Sequence, residues 1–254
     1  MPSADGKGRS LLDILTGRNQ KDMRPLEFQY HNPLEAKVGC TVCFDHEEEI
    51  RGINFVIEKI SVYKTEIGRE TFFHTDYHLK GTSLDTDGYV RLWLRLIPDD
   101  NVTNKLGHRI QLLQLYEEMQ WDEDLYNMLC ENGDYNPDYD DEGTRSFKVN
   151  YDDEGNELEH PRMYWRIGTE MPQQDLDPYH AKLTVLSDVD GDGTIEDHEL
   201  EHFPVTYWEF SRMTDNPETE EKFEEFLTVD MDDGTRFFRF LRGTNVLPFQ
   251  VTVI

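Results

Sequence analysis

The chain has 254 residues, and its 53 acidic residues outnumber 25 basic ones, for a formal net charge of −28. A charge of this sign repels phosphate backbones and anionic lipid headgroups, so we expect no nucleic-acid partner. No stretch reaches the ~20 apolar residues of a membrane span, and no apolar leader begins the sequence. We therefore expect a cytoplasmic protein with no membrane span. Aromatic residues make up 12% of the chain, which excludes a wholly disordered protein.

The charge is unevenly distributed along the chain. Residues 1–116 contain 17 acidic and 15 basic residues, whereas residues 117–254 contain 36 and 10. Such a shift in composition marks a candidate domain boundary. We predict an N-terminal helix and linker at 1–25, a near-neutral β domain at 26–116 and an acidic β-rich domain at 117–254. Adaptation to a saline habitat is an alternative explanation of the acidity.

The first predicted element is a short helix at residues 10–17, which Gly17 ends. Its apolar residues are Leu11, Leu12, Ile14 and Leu15. This face either packs on the core of the protein itself or serves as a docking segment for an unknown protein partner.

Runs of β-branched and aromatic residues then predict four strands, at 37–44, 52–63, 70–79 and 88–97. Their spacing is typical of an antiparallel meander or a small barrel. On the third strand His74, Asp76 and His78 share one face. The two histidines are ~13 Å apart at ~3.4 Å per residue, too far to share a metal ion. We therefore predict a partly exposed polar face there.

The middle of the chain carries apolar residues at roughly helical spacing, which predicts a helix over 109–130. These residues are Leu112, Leu115, Tyr116, Met119, Leu125, Met128 and Leu129.

Further strands are predicted in the second half, including a hairpin across Asp232 and Gly234. They cover residues 145–150, 162–168, 182–187, 205–212, 226–229, 237–241 and 251–254. The predicted fold class is mainly β (α+β), with two β-rich antiparallel parts, a few helices and one ion-binding loop.

The most specific motif spans residues 188–199, where oxygen-bearing residues recur at alternate positions around Gly193. It resembles an EF-hand calcium-binding loop, in which ligands occupy positions 1, 3, 5, 7, 9 and 12 and glycine occupies position 6. The resemblance implies Ca²⁺ as the cofactor, with Mg²⁺ possible. The implied metal ligands are Asp188, Asp190, Asp192, Thr194 through its carbonyl, Glu196 and Glu199.

The flanks of this loop differ from the EF-hand pattern. The entering segment is predicted as a strand, and Pro204 ends the predicted exiting helix after about two turns. No second loop of the same kind occurs, although sensor EF-hands expose a groove between a pair of helices. We therefore predict a structural ion in a non-enzymatic calcium-binding protein that acts through protein interaction.

An alternative motif overlaps the same loop. His198, Glu199 and His202 fit H-E-x-x-H, in which two histidines one helical turn apart bind zinc and the glutamate serves as the base. This alternative predicts a zinc-dependent hydrolase. Because both motifs need Glu199, only one of the two metal sites can form.

Leu11, Leu12, Leu15, Gly17 and Arg18, followed by two β-rich regions and an aromatic C-terminal hairpin, also resemble an uncharacterised bacterial family. Members of that family are sometimes encoded beside phage-shock-type membrane-stress proteins. The resemblance implies a bacterial, non-enzymatic scaffold as a further alternative function.

Overall fold

The structure is a computed structural model that describes residues 32–45, 50–82, 88–130, 146–152, 156–167, 178–187, 200–215, 222–232, 234 and 236–254. These residues form twelve β-strands and one α-helix. The strands are β1 (Thr41–Phe44), β2 (Phe55–Ile67), β3 (Glu70–Thr82), β4 (Tyr89–Pro98), β5 (His108–Gln120), β6 (Ser146–Tyr151), β7 (Glu157–Arg166), β8 (Tyr179–Ser187), β9 (Leu200–Asp215), β10 (Lys222–Asp232), β11 (Phe237–Val246) and β12 (Val251–Val253).

The helix α1 spans Glu123–Cys130, and two short 3-10 helices span Pro33–Glu35 and Pro248–Gln250. None of the helices in the described ranges has the length and apolarity that crossing a membrane requires.

Eight of the strands form one closed antiparallel barrel. The order around the barrel is β2, β3, β4, β5, β11, β10, β9 and β8, and β8 pairs again with β2. On one side of β8, Leu183 lies opposite Tyr63 of β2. On its other side, Ala181 lies opposite Val205 of β9. Strand β8 therefore closes the barrel by joining β2, from the first half of the chain, to β9, from the second half.

Four short strands extend the sheet beyond the barrel. Strand β1 pairs with the start of β2, where Val42 lies opposite Phe55, and with β12, where Val42 lies opposite Val253. Strand β7 pairs with β6 and also with β9, where Trp165 lies opposite Ser211. These four strands cover apolar side chains on the outward faces of the barrel strands.

The outward faces of the barrel strands carry two apolar cores, because alternate side chains of a strand point to opposite faces. The first core lies between β2–β5 and the β1–β12 pair, and includes Val42, Phe55, Ile57, Leu79, Leu94, Ile110 and Val253. The second lies between β9–β11, the β6–β7 pair and α1, and includes Tyr164, Trp208, Phe210, Leu227, Val229, Phe238 and Phe240. The inward faces are therefore free to carry other chemistry.

The predicted fold class of two β-rich parts with several helices is wrong. The eight strands of a single barrel come from both halves of the chain, since β2 pairs with β8 and β5 pairs with β11. One α-helix is present in the described ranges. The predicted boundary between residues 116 and 117 falls inside β5.

The helix predicted over 109–130 is wrong for its first half, which forms β5. Phe240 lies opposite Glu117 and Leu241 opposite Leu115, so Tyr116 is an extra residue that forms a β-bulge. A bulge shifts the alternation of a strand by one residue. Apolar residues on both faces of β5, combined with this shift, produce the three- and four-residue spacing that resembles a helix. Only Glu123–Cys130 is helical.

The strand predictions are confirmed for most of the chain, including the hairpin in which β10 pairs with β11. The helix predicted at residues 10–17, with Leu11, Leu12, Ile14 and Leu15, lies outside the described residues.

Candidate functional site

The inside of the barrel combines a polar network with two small apolar clusters, which are Tyr63, Ala181, Leu183, Val185, Val205 and Tyr207, and Trp93, Leu113 and Leu241. Hydrogen bonds join strands that are not neighbours, such as Tyr63 of β2 with Asp230 of β10, and Thr65 of β2 with Tyr207 of β9. Such bonds can form only across the barrel lumen. The residues that face this polar interior include Ser61, Tyr63, Thr65, His74, Asp76, His78, Arg95, Tyr207, Glu209, Thr228, Asp230 and Arg239.

An ion pair between Asp76 and Arg95 lies at the centre of the polar interior. Arg95 donates from Nε to Asp76 Oδ1 at 2.8 Å and from Nη2 to Asp76 Oδ2 at 2.9 Å. Both side chains are 0% exposed. Burial alone would raise the pKa of the Asp76 carboxyl, but the Arg95 guanidinium holds that pKa below its ordinary value. Asp76 is therefore ionised in the folded protein at neutral pH.

Arg95 also connects β4 to strands of the second half of the chain. Its Nη1 donates to Thr228 Oγ1 at 3.0 Å and to Glu209 Oε1 at 3.4 Å. Burial raises the pKa of the Glu209 carboxyl, and Arg95 opposes that increase. One guanidinium thus binds polar groups on three strands of the barrel.

A second cluster surrounds Asp230. Its Oδ2 accepts hydrogen bonds from Tyr63 Oη at 3.1 Å and from Arg239 Nη2 at 2.8 Å. The Tyr63 ring stacks on the His74 ring with centroids 4.1 Å apart. Burial, followed by the nearby Arg95 charge, lowers the pKa of His74 to about 3. His74 is therefore neutral at physiological pH and packs as an aromatic ring.

The polar face predicted for His74, Asp76 and His78 exists, but the prediction that it is partly exposed is wrong for its first two members. His74 and Asp76 are buried because this face points into the barrel. The signal that sequence reasoning missed is that both faces of β3 contain bulky residues. Tyr77 and Leu79 are buried on the opposite face.

Ser61 and His78 form a hydrogen-bonded pair, with Ser61 Oγ 2.7 Å from His78 Nε2. This pairing is also found in serine nucleophiles that histidine activates. Burial, followed by the Arg239 charge, lowers the pKa of His78 to about 4. A general base works best with a pKa near the operating pH, so His78 is a weak base at neutral pH. The pair is better suited to hydrogen bonding than to catalysis.

The predicted metal ligands Asp188, Asp190, Asp192, Thr194, Glu196 and Glu199 lie outside the described residues. The strands on either side of them are described. Strand β8 ends at Ser187, β9 begins at Leu200, and Leu186 lies opposite Leu200. The exiting helix predicted for the loop is therefore wrong, because β9 begins directly after residue 199.

The helix that the zinc motif requires is absent at His202, the last residue of the motif. His198 and Glu199 lie outside the described residues, but His202 lies on β9 rather than on a helix. Its Nδ1 is 3.0 Å from Thr184 Oγ1 on β8. Residues four apart on a strand are ~13 Å apart along the chain, whereas on a helix they are one turn apart, so the zinc geometry assumed for this motif does not apply at His202.

Within the described ranges, no group of three or more histidine, cysteine or acidic side chains is arranged to hold a metal ion. No protein-family model, curated protein or solved structure matches the chain. The geometry of the barrel is therefore the main guide to function.

We expect the Asp76–Arg95 pair to dominate stability inside the barrel. Arg95→Met leaves the buried Asp76 carboxylate without its ionic partner, and Asp76→Leu leaves the buried Arg95 with only the longer 3.4 Å ionic contact to Glu209. Each change should cost about 3–5 kcal/mol in the free energy of unfolding. The double variant should cost less than the sum of the two single changes. Urea denaturation followed by circular dichroism measures all three.

The exposed Lys64–Glu66 pair on β2, with Nζ and Oε1 2.5 Å apart, is the matched control. Exposed pairs contribute at most ~1 kcal/mol. If Asp76→Leu lowers the free energy of unfolding no more than Glu66→Gln does, the buried Asp76–Arg95 pair does not dominate stability inside the barrel.

His74 should make stability dependent on pH. An unfolded histidine binds a proton near pH 6.5, whereas His74 in the fold does so only near pH 3. Between these values the unfolded state binds more protons, so the free energy of unfolding should fall as pH falls. The slope for one such proton is about 1.4 kcal/mol per pH unit.

His78, with a pKa of about 4, contributes in the same direction between pH 6.5 and 4. His74→Phe retains a ring against Tyr63 and removes one titrating group. Urea titrations between pH 6.5 and 4.5 should therefore show a smaller slope for His74→Phe than for the original chain. Equal slopes would mean that His74 is protonated in the folded state.

Proposed function

We propose that the protein is a non-enzymatic calcium-binding protein in which residues 188–199 hold one structural ion at an end of the barrel. The proposed ligands are Asp188, Asp190, Asp192, Thr194, Glu196 and Glu199. The protein is proposed to act in the cytoplasm through interaction with another protein, for which the segment at 10–17 is a candidate docking site.

The observation that supports this proposal most strongly is the pairing of β8 with β9. The first and twelfth residues of an EF-hand-type loop bind the same ion, so the two ends of the loop must lie close together. Antiparallel pairing of Leu186 with Leu200 brings the flanking residues of the twelve-residue segment next to each other. A β-hairpin frame can therefore replace the two helices of an EF-hand in holding the ends of the loop.

The charge around this end of the barrel also favours a cation. Lys59 of β2 lies opposite Ser187 at the end of β8 and lines a pocket there. The carboxylates that line this pocket, Glu118, Glu201, Asp230 and Asp232, outnumber its Lys59 and Arg239 cations. Carboxylates near a site raise the local concentration of divalent cations. A bound ion would also reduce repulsion among the acidic residues of the loop.

The neutral state of His78 at physiological pH supports the non-enzymatic part of the proposal. The hydrogen bond between Ser61 and His78 can be retained without proton transfer, because a histidine with a pKa of about 4 accepts protons weakly at pH 7.

We expect Ca²⁺ to stabilise protein that has been stripped of metal. The gain in the free energy of unfolding should follow RT ln(1 + [L]/Kd), which is about 2.7 kcal/mol when free Ca²⁺ is about 100 times Kd. Differential scanning calorimetry with Ca²⁺, Mg²⁺ or Zn²⁺ measures the shift. Ca²⁺ should shift the transition most and Mg²⁺ less.

Asp188→Ala and Glu199→Gln should abolish the Ca²⁺ shift. Asp140→Ala is the control, because it removes the same charge from the acidic stretch at 138–143 outside the loop. A transition that millimolar Ca²⁺ leaves unchanged would rule out the proposed site. A response to Zn²⁺ alone, lost in His202→Ala, would favour the zinc alternative instead.

A further inference from the structure

The polar interior opens into a pocket at the end of the barrel where β8 ends. Two adjoining cavities of about 250 and 340 Å³ are both lined by Lys59, His78, Glu118 and Arg239. We refer to the two cavities together as the mouth pocket. Eight-stranded barrels are wide enough to hold one small ligand, and the larger of the two cavities is at the lower end of the range of volumes for ligand sites.

The larger cavity of the mouth pocket offers hydrogen-bond donors, beside the carboxylates of Glu58 and Glu118. Trp93 is 7% exposed, and its indole Nε1 has no hydrogen-bond partner among the described residues. The Nε of Arg239 is also without a partner there, and the Arg239 guanidinium lies 5.7 Å from the centre of the Trp93 ring. Lys59 and Arg91 line the same cavity. A ligand with acceptor oxygens would satisfy these donors.

The smaller cavity of the mouth pocket offers acceptors, beside the Lys59 and Arg239 cations. Asp230 is 2% exposed, and its Oδ1 has no hydrogen-bond partner among the described residues, although Oδ2 accepts two hydrogen bonds. Glu118 and Glu201 line the same cavity. Buried polar atoms are almost always hydrogen-bonded, so an unpaired carboxylate oxygen in a pocket indicates a missing donor.

The unpaired donors and the unpaired acceptor belong to one contiguous cluster. Arg239 donates to Asp230 at 2.8 Å and lies over Trp93, and the Trp93 and His78 ring centres are 5.8 Å apart. A ligand that carries only an anion or only a cation would satisfy one side of this cluster and be repelled by the other. A ligand with both charges a few bonds apart would satisfy both.

The remaining wall of the mouth pocket is apolar. Its residues come from β8, β9 and β11 and are Leu183, Val185, Phe203, Val205 and Phe237. A ligand that fills the pocket therefore needs an apolar part in addition to its two charges.

We propose that the mouth pocket binds a small zwitterion of the amino-acid class with an apolar side chain. The carboxylate accepts hydrogen bonds from Trp93, Arg239 and Lys59. The ammonium group donates to Asp230 and lies near Glu118. The side chain packs against Val185, Val205 and Phe237. This site does not depend on residues 188–199 or on a bound metal ion.

Three probes that share a phenyl group test the proposal. L-Phenylalanine carries both charges, 3-phenylpropanoate carries only the negative charge, and phenethylamine carries only the positive one. Isothermal titration calorimetry on the full chain, in the presence of EDTA, should show saturable binding of phenylalanine, with each of the other probes at least about tenfold weaker.

Single-residue variants test whether phenylalanine binds in the mouth pocket. Lys59→Gln should weaken phenylalanine binding by about tenfold, whereas Lys64→Gln on the same strand, outside the pocket, should leave it unchanged. Glu118→Gln should weaken phenylalanine binding without the risk of unfolding that Asp230→Asn carries. Trp93→Phe, which removes only the indole N–H donor and part of the ring, should weaken the binding of phenylalanine and of 3-phenylpropanoate alike.

Three results would overturn the proposal. They are no binding of phenylalanine at millimolar concentration, equal or tighter binding of either single-charge probe, and phenylalanine binding that Lys59→Gln and Glu118→Gln leave unchanged. Because EDTA is present, none of these results bears on the proposed calcium site.

Discussion

The structure depends on the closure of the sheet by β8. Because β8 pairs with both β2 and β9, the strands form a ring, and every barrel strand acquires an inside and an outside. The outward faces pack against the β1–β12 and β6–β7 pairs in apolar cores. The inward faces carry the polar network together with two smaller apolar clusters. Without β8, the Asp76–Arg95 pair would face solvent and the mouth pocket would lose Leu183 and Val185 from its apolar wall.

Burying several charges inside one barrel imposes a strict requirement on their pairing. Each buried charge needs a partner of opposite sign, since an unpaired buried charge costs several kcal/mol. Asp76 and Arg95 come from the first half of the chain, whereas Glu209, Asp230 and Arg239 come from the second. The interior therefore joins two halves whose net charges differ greatly. Among the described residues, three of the buried polar atoms without a hydrogen-bond partner belong to residues that line the mouth pocket, namely Trp93, Asp230 and Arg239, whereas those of His74, Arg109 and Trp208 lie elsewhere.

Local sequence patterns predicted most strands but neither their partners nor their inward faces. Alternation indicates a strand, yet it does not indicate that β2 pairs with β8 more than 100 residues later. The bulge at Tyr116 turned a strand pattern into an apparent helix. His74 and Asp76 were expected to be partly exposed because polar residues usually face solvent, and only barrel closure buries them. The calcium ligands at 188–199 are a prediction from spacing alone, and β8 and β9 provide a compatible frame.

The most direct test of a single closed barrel is its cooperativity of unfolding. Trp93 lies on β4 in the first half and Trp208 on β9 in the second, and both are buried. In protein labelled with 5-fluorotryptophan, ¹⁹F NMR resolves these residues during a urea titration. One closed barrel requires their folded signals to disappear at the same urea concentration, because a ring of strands cannot lose one half and keep the other. Two separate midpoints would show that the halves fold independently and would contradict the barrel.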